Sequence, residues 1–230
     1  MGEQVTFTSN GGTAEGYLAL PASGSGPGVI VIQEWWGLVP HIRDVADRFA
    51  QAGFVALAPD LYHGIKVDNS EPDEAGKLLM GLAMDQAAKD IAGAAGYLAD
   101  RAETTGDGIG AVGFCMGGSL ALWSATLAPQ VTVAIGFYPA LPWERMQPTW
   151  SSYGGKAAAV HAAEGDGGSS AAGIQAAIAA IENAGGKVEV YDYPGTQHAF
   201  FNDTRPDVYD ADAAALAWDR TVTLFRDRLG

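Results

Sequence analysis

The chain is predicted to be an α/β protein with a mostly parallel sheet covered on both faces by helices. Three observations carry this expectation: short β-branched runs alternate with helical periodicities almost throughout, glycine- and proline-rich turns separate them, and no repeat or low-complexity linker interrupts the series. With 230 residues, 48% of them hydrophobic, the chain is long enough to bury a sizeable core. One domain over 1–230 is expected.

Taken in order, Val5, Phe7 and then Gly16 to Leu20 read as two antiparallel edge strands joined across the turn signal Asn10-Gly11-Gly12. Pro27-Gly28 precedes Val29-Ile30-Val31-Ile32, a β-branched run suited to a central parallel strand. That strand ends at Gln33-Glu34-Trp35-Trp36-Gly37. Pro40 opens a helix with Ile42, Val45, Ala46 and Phe49 at helical spacing, and Gly53 closes it. Phe54 to Ala58 is a strand stopped by Pro59-Asp60. Residues 72 to about 102 read as one helix, with Met84, Ala88, Ile91, Ala95 and Leu98 forming its core stripe. Thr105 to Gly108 is expected to be a loop leading into the strand Ile109 to Phe114, and a helix follows from Ser119 to Leu127.

Val131 to Tyr138 and Ala157 to Ala162 read as strands, separated by an irregular segment that carries Trp143 and Trp150. Ile174, Ala177, Ile178 and Ile181 define a helix ended by Gly185-Gly186. Val188 to Tyr193 is the last strand, and Trp218, Val222, Phe225 and Leu229 mark the buried face of the last helix.

Composition narrows the possible functions. A formal net charge of -14 disfavours sequence-independent binding to nucleic acid or to an anionic membrane. The single cysteine excludes an intrachain disulfide and any multi-cysteine metal site, so a reducing, cytoplasmic compartment is expected. The N-terminal residues lack the basic and apolar segments of a secretory signal, and no apolar run approaches the roughly 18 residues needed to span a bilayer. Met1-Gly2 with Thr6 fits a loose myristoylation pattern, but a strand starting at Gln4 explains the same residues.

The chemistry concentrates at Gly113-Phe114-Cys115-Met116-Gly117-Gly118. A Gly-x-nucleophile-x-Gly turn between a buried strand and a helix lifts one side chain above the sheet, and here it is a thiol. Glycine is needed at 113 and 117 because strand and helix pass too close for larger side chains. The first N–H groups of the helix lack intrahelical acceptors, so the Met116 N–H is free for a developing oxyanion, and the helix dipole favours a thiolate at Cys115.

Parallel α/β sheets place ligand sites beyond the carboxyl ends of their strands. A thiol nucleophile there needs an imidazole, and the imidazole needs a carboxylate. His198, just past the strand 188–193, is placed to swing over the sheet. His41 at a helix start and His63 in a polar loop are expected to be solvated, and His161 within a strand to be packed. After the strand 157–162, Glu164 and Asp166 are both candidates; Asp166, between glycines in a tight turn, is favoured. Asp192 lies within a strand, pointing away. The order nucleophile, acid, histidine is that of the α/β-hydrolase fold, a three-layer sandwich.

Gln33-Glu34-x-x-Gly37, Pro59-Asp60-Leu61-Tyr62, the cysteine turn, Asp166 and His198-x-Phe200 together resemble the dienelactone hydrolase (carboxymethylenebutenolidase) family over nearly the whole chain. The resemblance implies that Cys115, Asp166 and His198 form a triad, and that Glu34 contacts the resting thiol and helps to deprotonate it when substrate arrives. A strand-end carboxylate beside the elbow independently allows that role. Trp35, in the loop after the third strand, supplies in this fold the second oxyanion N–H. The expected activity is hydrolysis of a small-molecule lactone or ester through a thioester, without metal or organic cofactor. The alternatives are an esterase or acyltransferase acting on uncharged (thio)esters, or a non-catalytic thiol-sensing or binding protein. Trp36, Tyr138 and Phe200 are candidate pocket walls. In the family the resemblance names, arginines hold the substrate carboxylate; position 202, four after His198, is asparagine here, and Arg205, the cation nearest that histidine in sequence, is a candidate either to take over that role in the pocket or to bond loop carbonyls. A monomer or weak homo-oligomer is expected.

Overall fold

The computed structural model describes residues 2–9 and 11–230; Asn10 of the expected first turn and Met1 of the lipidation pattern lie outside the described residues. Eight strands form one sheet: β1 (Glu3–Ser9), β2 (Gly12–Ala19), β3 (Gly26–Ile32), β4 (Val55–Pro59), β5 (Thr104–Phe114), β6 (Val131–Phe137), β7 (Ala157–Ala163) and β8 (Lys187–Tyr193). Their order is β1-β2-β4-β3-β5-β6-β7-β8. The β1–β2 and β2–β4 pairs are antiparallel, and from β4 to β8 every pair is parallel.

Six helices, α1 (Pro40–Gln51), α2 (Pro72–Gly81), α3 (Met84–Ala99), α4 (Met116–Leu127), α5 (Ala172–Asn183) and α6 (Ala211–Leu229), accompany the sheet. Side chains on a strand alternate between faces, and β3 divides its apolar run accordingly. Val29 and Val31 pack with Ile42 and Phe49 of α1 and Phe225 of α6. Ile30 and Ile32 pack with Ile91 and Leu98 of α3 and Leu120 of α4. These are the three layers of an α/β-hydrolase fold.

Two expectations need correction. The helix over 72–102 is two helices, because Leu82 and Ala83 take extended backbone angles. The break is tolerated because the Arg145 guanidinium donates to the carbonyls of Leu79 (2.9 Å) and Leu82 (3.2 Å). The expected loop 105–108 lies inside β5, where the register against β3 slips between Pro27 and Gly28. The irregular segment after β6 holds two short 3-10 helices, Trp143–Arg145 and Trp150–Tyr153, with the two tryptophan rings edge to face at 5.2 Å. No helix among the described residues is long and apolar enough to cross a membrane.

Candidate active site

Cys115 sits between the last residue of β5 and the first of α4, with φ 58° and ψ -121°, a strained conformation for a residue that bears a Cβ. Its N–H donates to Phe137 O (3.1 Å), and its carbonyl accepts from Gly118 (3.0 Å) and Ala140 (3.2 Å). The glycines of the turn are sterically required. A Cβ on Gly113 would lie 2.0 Å from Gly117 O, and one on Gly117 would lie 2.3 Å from Gln33 O. The second contact seats the start of α4 directly against the chain that leaves β3, which is the segment carrying Glu34 and Trp35.

The thiol is free and 9% exposed. The N–H of Met116, first residue of α4, has no intrahelical acceptor. No acceptor for the Trp35 N–H occurs among the described residues. Both donors therefore border the elbow unspent.

From the other side, β7 and β8 deliver the remaining pair. Asp166 ends a short 3-10 turn, Glu164–Asp166, closed by Gly167 at φ 92°. Its Oδ2 lies 2.6 Å from His198 Nδ1, which leaves Nε2 as the ring nitrogen available to the thiol. Burial pushes the His198 pKa down, but hydrogen bonds to Asp166 and Cys115, with the attraction of their negative charges, outweigh it and raise the imidazole to about 10. The Tyr138 ring meets the His198 ring edge to face at 5.0 Å.

Glu34 is buried at the end of β3. Its Oε2 accepts from Asn202 Nδ2 at 2.7 Å, and its Oε1 has no partner among the described residues. Burial raises its pKa, opposed by the Asn202 hydrogen bond and by the positive charges of His198 and Arg205. Asn202 is held in one orientation, since its Oδ1 accepts from the Thr204 N–H (3.1 Å) and hydroxyl (2.6 Å).

The sequence model of the family described as "Dienelactone hydrolase family" matches residues 14–229. The chain belongs to the dienelactone hydrolase family. It is 38% identical over 243 residues to Protein usf of Aquifex pyrophilus, covering the whole of both chains. It is 34% identical over 242 residues to a protein of Aquifex aeolicus provisionally named carboxymethylenebutenolidase, again end to end. A crystal structure provisionally titled dienelactone hydrolase, from Klebsiella pneumoniae, superposes with a TM-score of 0.79 at 26% identity and 98% coverage of each chain. Membership makes the chain a carboxymethylenebutenolidase-like hydrolase.

The other expected site residues lie around this dienelactone hydrolase core, and two of the expected pocket walls need correction. Trp36 and Phe200 are 2% and 0% exposed, so they support the site from inside and present no wall to a ligand. Trp36 stacks edge to face on Trp35 at 4.9 Å, and Phe200 backs Tyr138 at 5.4 Å. Tyr138 is also buried. Its phenol is held well above the ordinary value by burial and then by the charges of Glu34 and Cys115. Arg205 pairs with Asp207 at 3.0 Å.

Glu164 joins the two loops, its carboxylate accepting from Gly195 N at 2.7 Å, while Asp192 holds Ser169. His161 is packed, bridging Tyr193 (2.7 Å) and Thr221 (3.0 Å), and burial drops its pKa to about 3. His63 is half exposed, with Nε2 3.1 Å from the buried Asp90. His41 is a correction: it is buried, not solvated, with Nδ1 3.2 Å from Asp203, and burial lowers its pKa. Sequence reasoning overlooked the side chain of Tyr62, although its motif was visible. The Tyr62 O–H donates to Met116 Sδ at 3.4 Å, on the residue that follows Cys115.

Proposed function

We propose that this protein hydrolyses small-molecule lactones or esters with Cys115 as nucleophile, His198 as proton carrier and Asp166 as its orienting carboxylate. The observation that carries the reading is the 2.6 Å His198–Asp166 hydrogen bond, made while the same imidazole feels the Cys115 sulfur on the strained elbow. Glu34 Oε1 takes the proton of the resting thiol when substrate arrives, and the thiolate pairs with the His198 imidazolium.

The thiolate attacks the carbonyl carbon, and the Trp35 and Met116 N–H groups hold the oxyanion. The C–O bond breaks, and the departing oxygen takes the proton from His198, leaving a thioester. Neutral His198 then removes a proton from water. The hydroxide so formed attacks the thioester, the acid departs, and the thiolate–imidazolium pair returns. Every proton that leaves the imidazole is recovered from that water, and Glu34 hands its proton back to the sulfur as the acid leaves, which restores the resting thiol.

An esterase acting on uncharged esters or thioesters is a second reading, favoured by one observation. The side chain bonded to Glu34 is a neutral amide, and the nearby Arg205 already pairs with Asp207. A panel of lactones and p-nitrophenyl esters, with and without a carboxylate, separates the two. Intact-protein mass spectrometry after brief exposure to the panel is expected to show an acyl adduct that Cys115→Ala abolishes. An adduct that survives in that variant, or turnover by it, refutes the nucleophile assignment.

A further inference from the structure

Tyr62 stands on the side of Cys115 away from His198. In the order β4-β3-β5-β6-β7-β8, the turns after β7 and β8 bring Asp166 and His198 from one direction, and the turns after β3 and β4 approach from the other. The β3 turn carries the Trp35 N–H. The β4 turn carries Tyr62, and it is built to aim that side chain: the Asp60 carboxylate accepts from Tyr62 N (3.1 Å) and Gly64 N (2.7 Å). Gln33 Oε1 accepts from Leu61 N at 3.2 Å, tying this turn to the one that holds Trp35. The chain after Tyr62 then passes through φ 51° at His63.

So positioned, Tyr62 is buried, at 7% exposed, with its O–H on Met116 Sδ. A thioether is a weak acceptor. A strong donor is thus held on a poor partner, on the first residue of the helix whose N–H is proposed to face the reacting carbonyl. Burial and the nearby Cys115 charge, opposed by Arg145, raise the Tyr62 pKa, so the phenol keeps its proton at any working pH.

We propose that Tyr62 donates a third hydrogen bond to the oxyanion, turning from Met116 Sδ to the oxygen held by the Trp35 and Met116 N–H groups. The proposal rests on the reading of Cys115 as nucleophile. No proton is transferred in this step. The substrate carbonyl oxygen is a modest acceptor, whereas the tetrahedral oxyanion is a strong one, so the gain falls on the transition state.

Tyr62→Phe removes one oxygen atom and keeps the ring. For p-nitrophenyl acetate, kcat/KM is expected to fall about 10- to 100-fold with KM unchanged, somewhat less than the roughly 100- to 1000-fold typical of a fixed oxyanion donor, because this one must leave another acceptor. The melting temperature should stay within about 2 °C. A trifluoromethyl ketone, which adds to a thiolate and leaves a stable oxyanion, should bind the variant more weakly by the same factor. An unchanged kcat/KM overturns the proposal, and so does a rate loss without matching loss of ketone affinity. Cys115→Ala assayed on the same ester separates the two readings: if it is inactive while Tyr62→Phe is unimpaired, only the Tyr62 role falls; if it stays active, both fall.

Discussion

The proton on His198 ties the stability of the fold to the proposed chemistry, and pH is the perturbation that exposes it. In the folded protein the imidazole holds its proton up to about pH 10, against an ordinary value of 6.5. Between those limits the folded state binds more protons than the unfolded one, so stability falls as pH rises. The His198 contribution is complete below about pH 6.5 and lost by about pH 10. The gap between 6.5 and about 10 sets a ceiling of roughly 5 kcal/mol. The His198 and Asp166 side chains are each 33% exposed, and solvent screening brings the expected effect to about 1 to 2 kcal/mol.

Guanidinium unfolding of the wild type and of His198→Gln at pH 6, 8 and 10 measures it. The wild-type advantage should be largest at pH 6 and shrink steadily towards pH 10. Asp166→Asn should move the loss to lower pH, because the burial that disfavours the imidazolium remains while its carboxylate partner is gone. A difference that stays flat, or grows with pH, refutes the argument.

Three other perturbations follow from the same geometry. Asn202→Ala removes the hydrogen bond that favours ionised Glu34, so the acid limb of kcat/KM should move up by about one pH unit; a limb that stays in place counts against Glu34 as the base. Gly117→Ala puts a Cβ 2.3 Å from Gln33 O and 2.6 Å from Ile32 O, which should cost about 1 to 3 kcal/mol in thermal unfolding and displace Glu34 and Trp35, so a stable, fully active variant would contradict the elbow geometry. His161→Leu strands the buried hydroxyl of Thr221 and leaves that of Tyr193 with Arg220 alone (3.2 Å), at about 1 to 3 kcal/mol of stability, while KM in the surviving folded fraction should stay near wild type.

What could be read from the sequence was whatever is encoded locally. The β-branched run at 29–32 and the glycines around Cys115 each act on their immediate neighbours, and each announced its element. The order of strand ends then brought His198 and Asp166 under consideration. What stayed hidden depends on partners distant in the chain. The break at Leu82 and Ala83 is stabilised by Arg145, more than 60 residues away, and the helical periodicity runs through it unmarked. His41 is buried because Phe114 and Phe201 pack near its ring, the latter with Asp203 on the chain after His198. Trp36 lies in the same loop as Trp35, yet only its packing against the α1 layer decides that it faces inward. Tyr62 is aimed by Asp60, a local cue, and by Gln33, which is not.

Backbone strain makes the same point from another direction. Among the described residues, His63, Cys115, Tyr138, Gln147 and Ala199 take positive φ without being glycine. All but Gln147 lie where the chain leaves β4, β5, β6 or β8, next to or within the side chains that converge on the thiol. Such conformations cost about 1 to 3 kcal/mol each and persist only where the surroundings over-determine them. Here they do: Tyr138 N donates to His161 O at 2.7 Å, Cys115 is held through both its N–H and its carbonyl, and Ala199 O accepts from Asn202 N at 2.9 Å. His161, excluded from the proposed triad by its burial, thereby anchors through its backbone the residue whose ring abuts His198. Apart from Cys115, whose turn the flanking glycines announce, an L-residue forced to positive φ leaves no mark in the sequence, as a glycine at such a turn would. The strain that carries these side chains to one place is therefore visible only once the sheet that opposes it has formed.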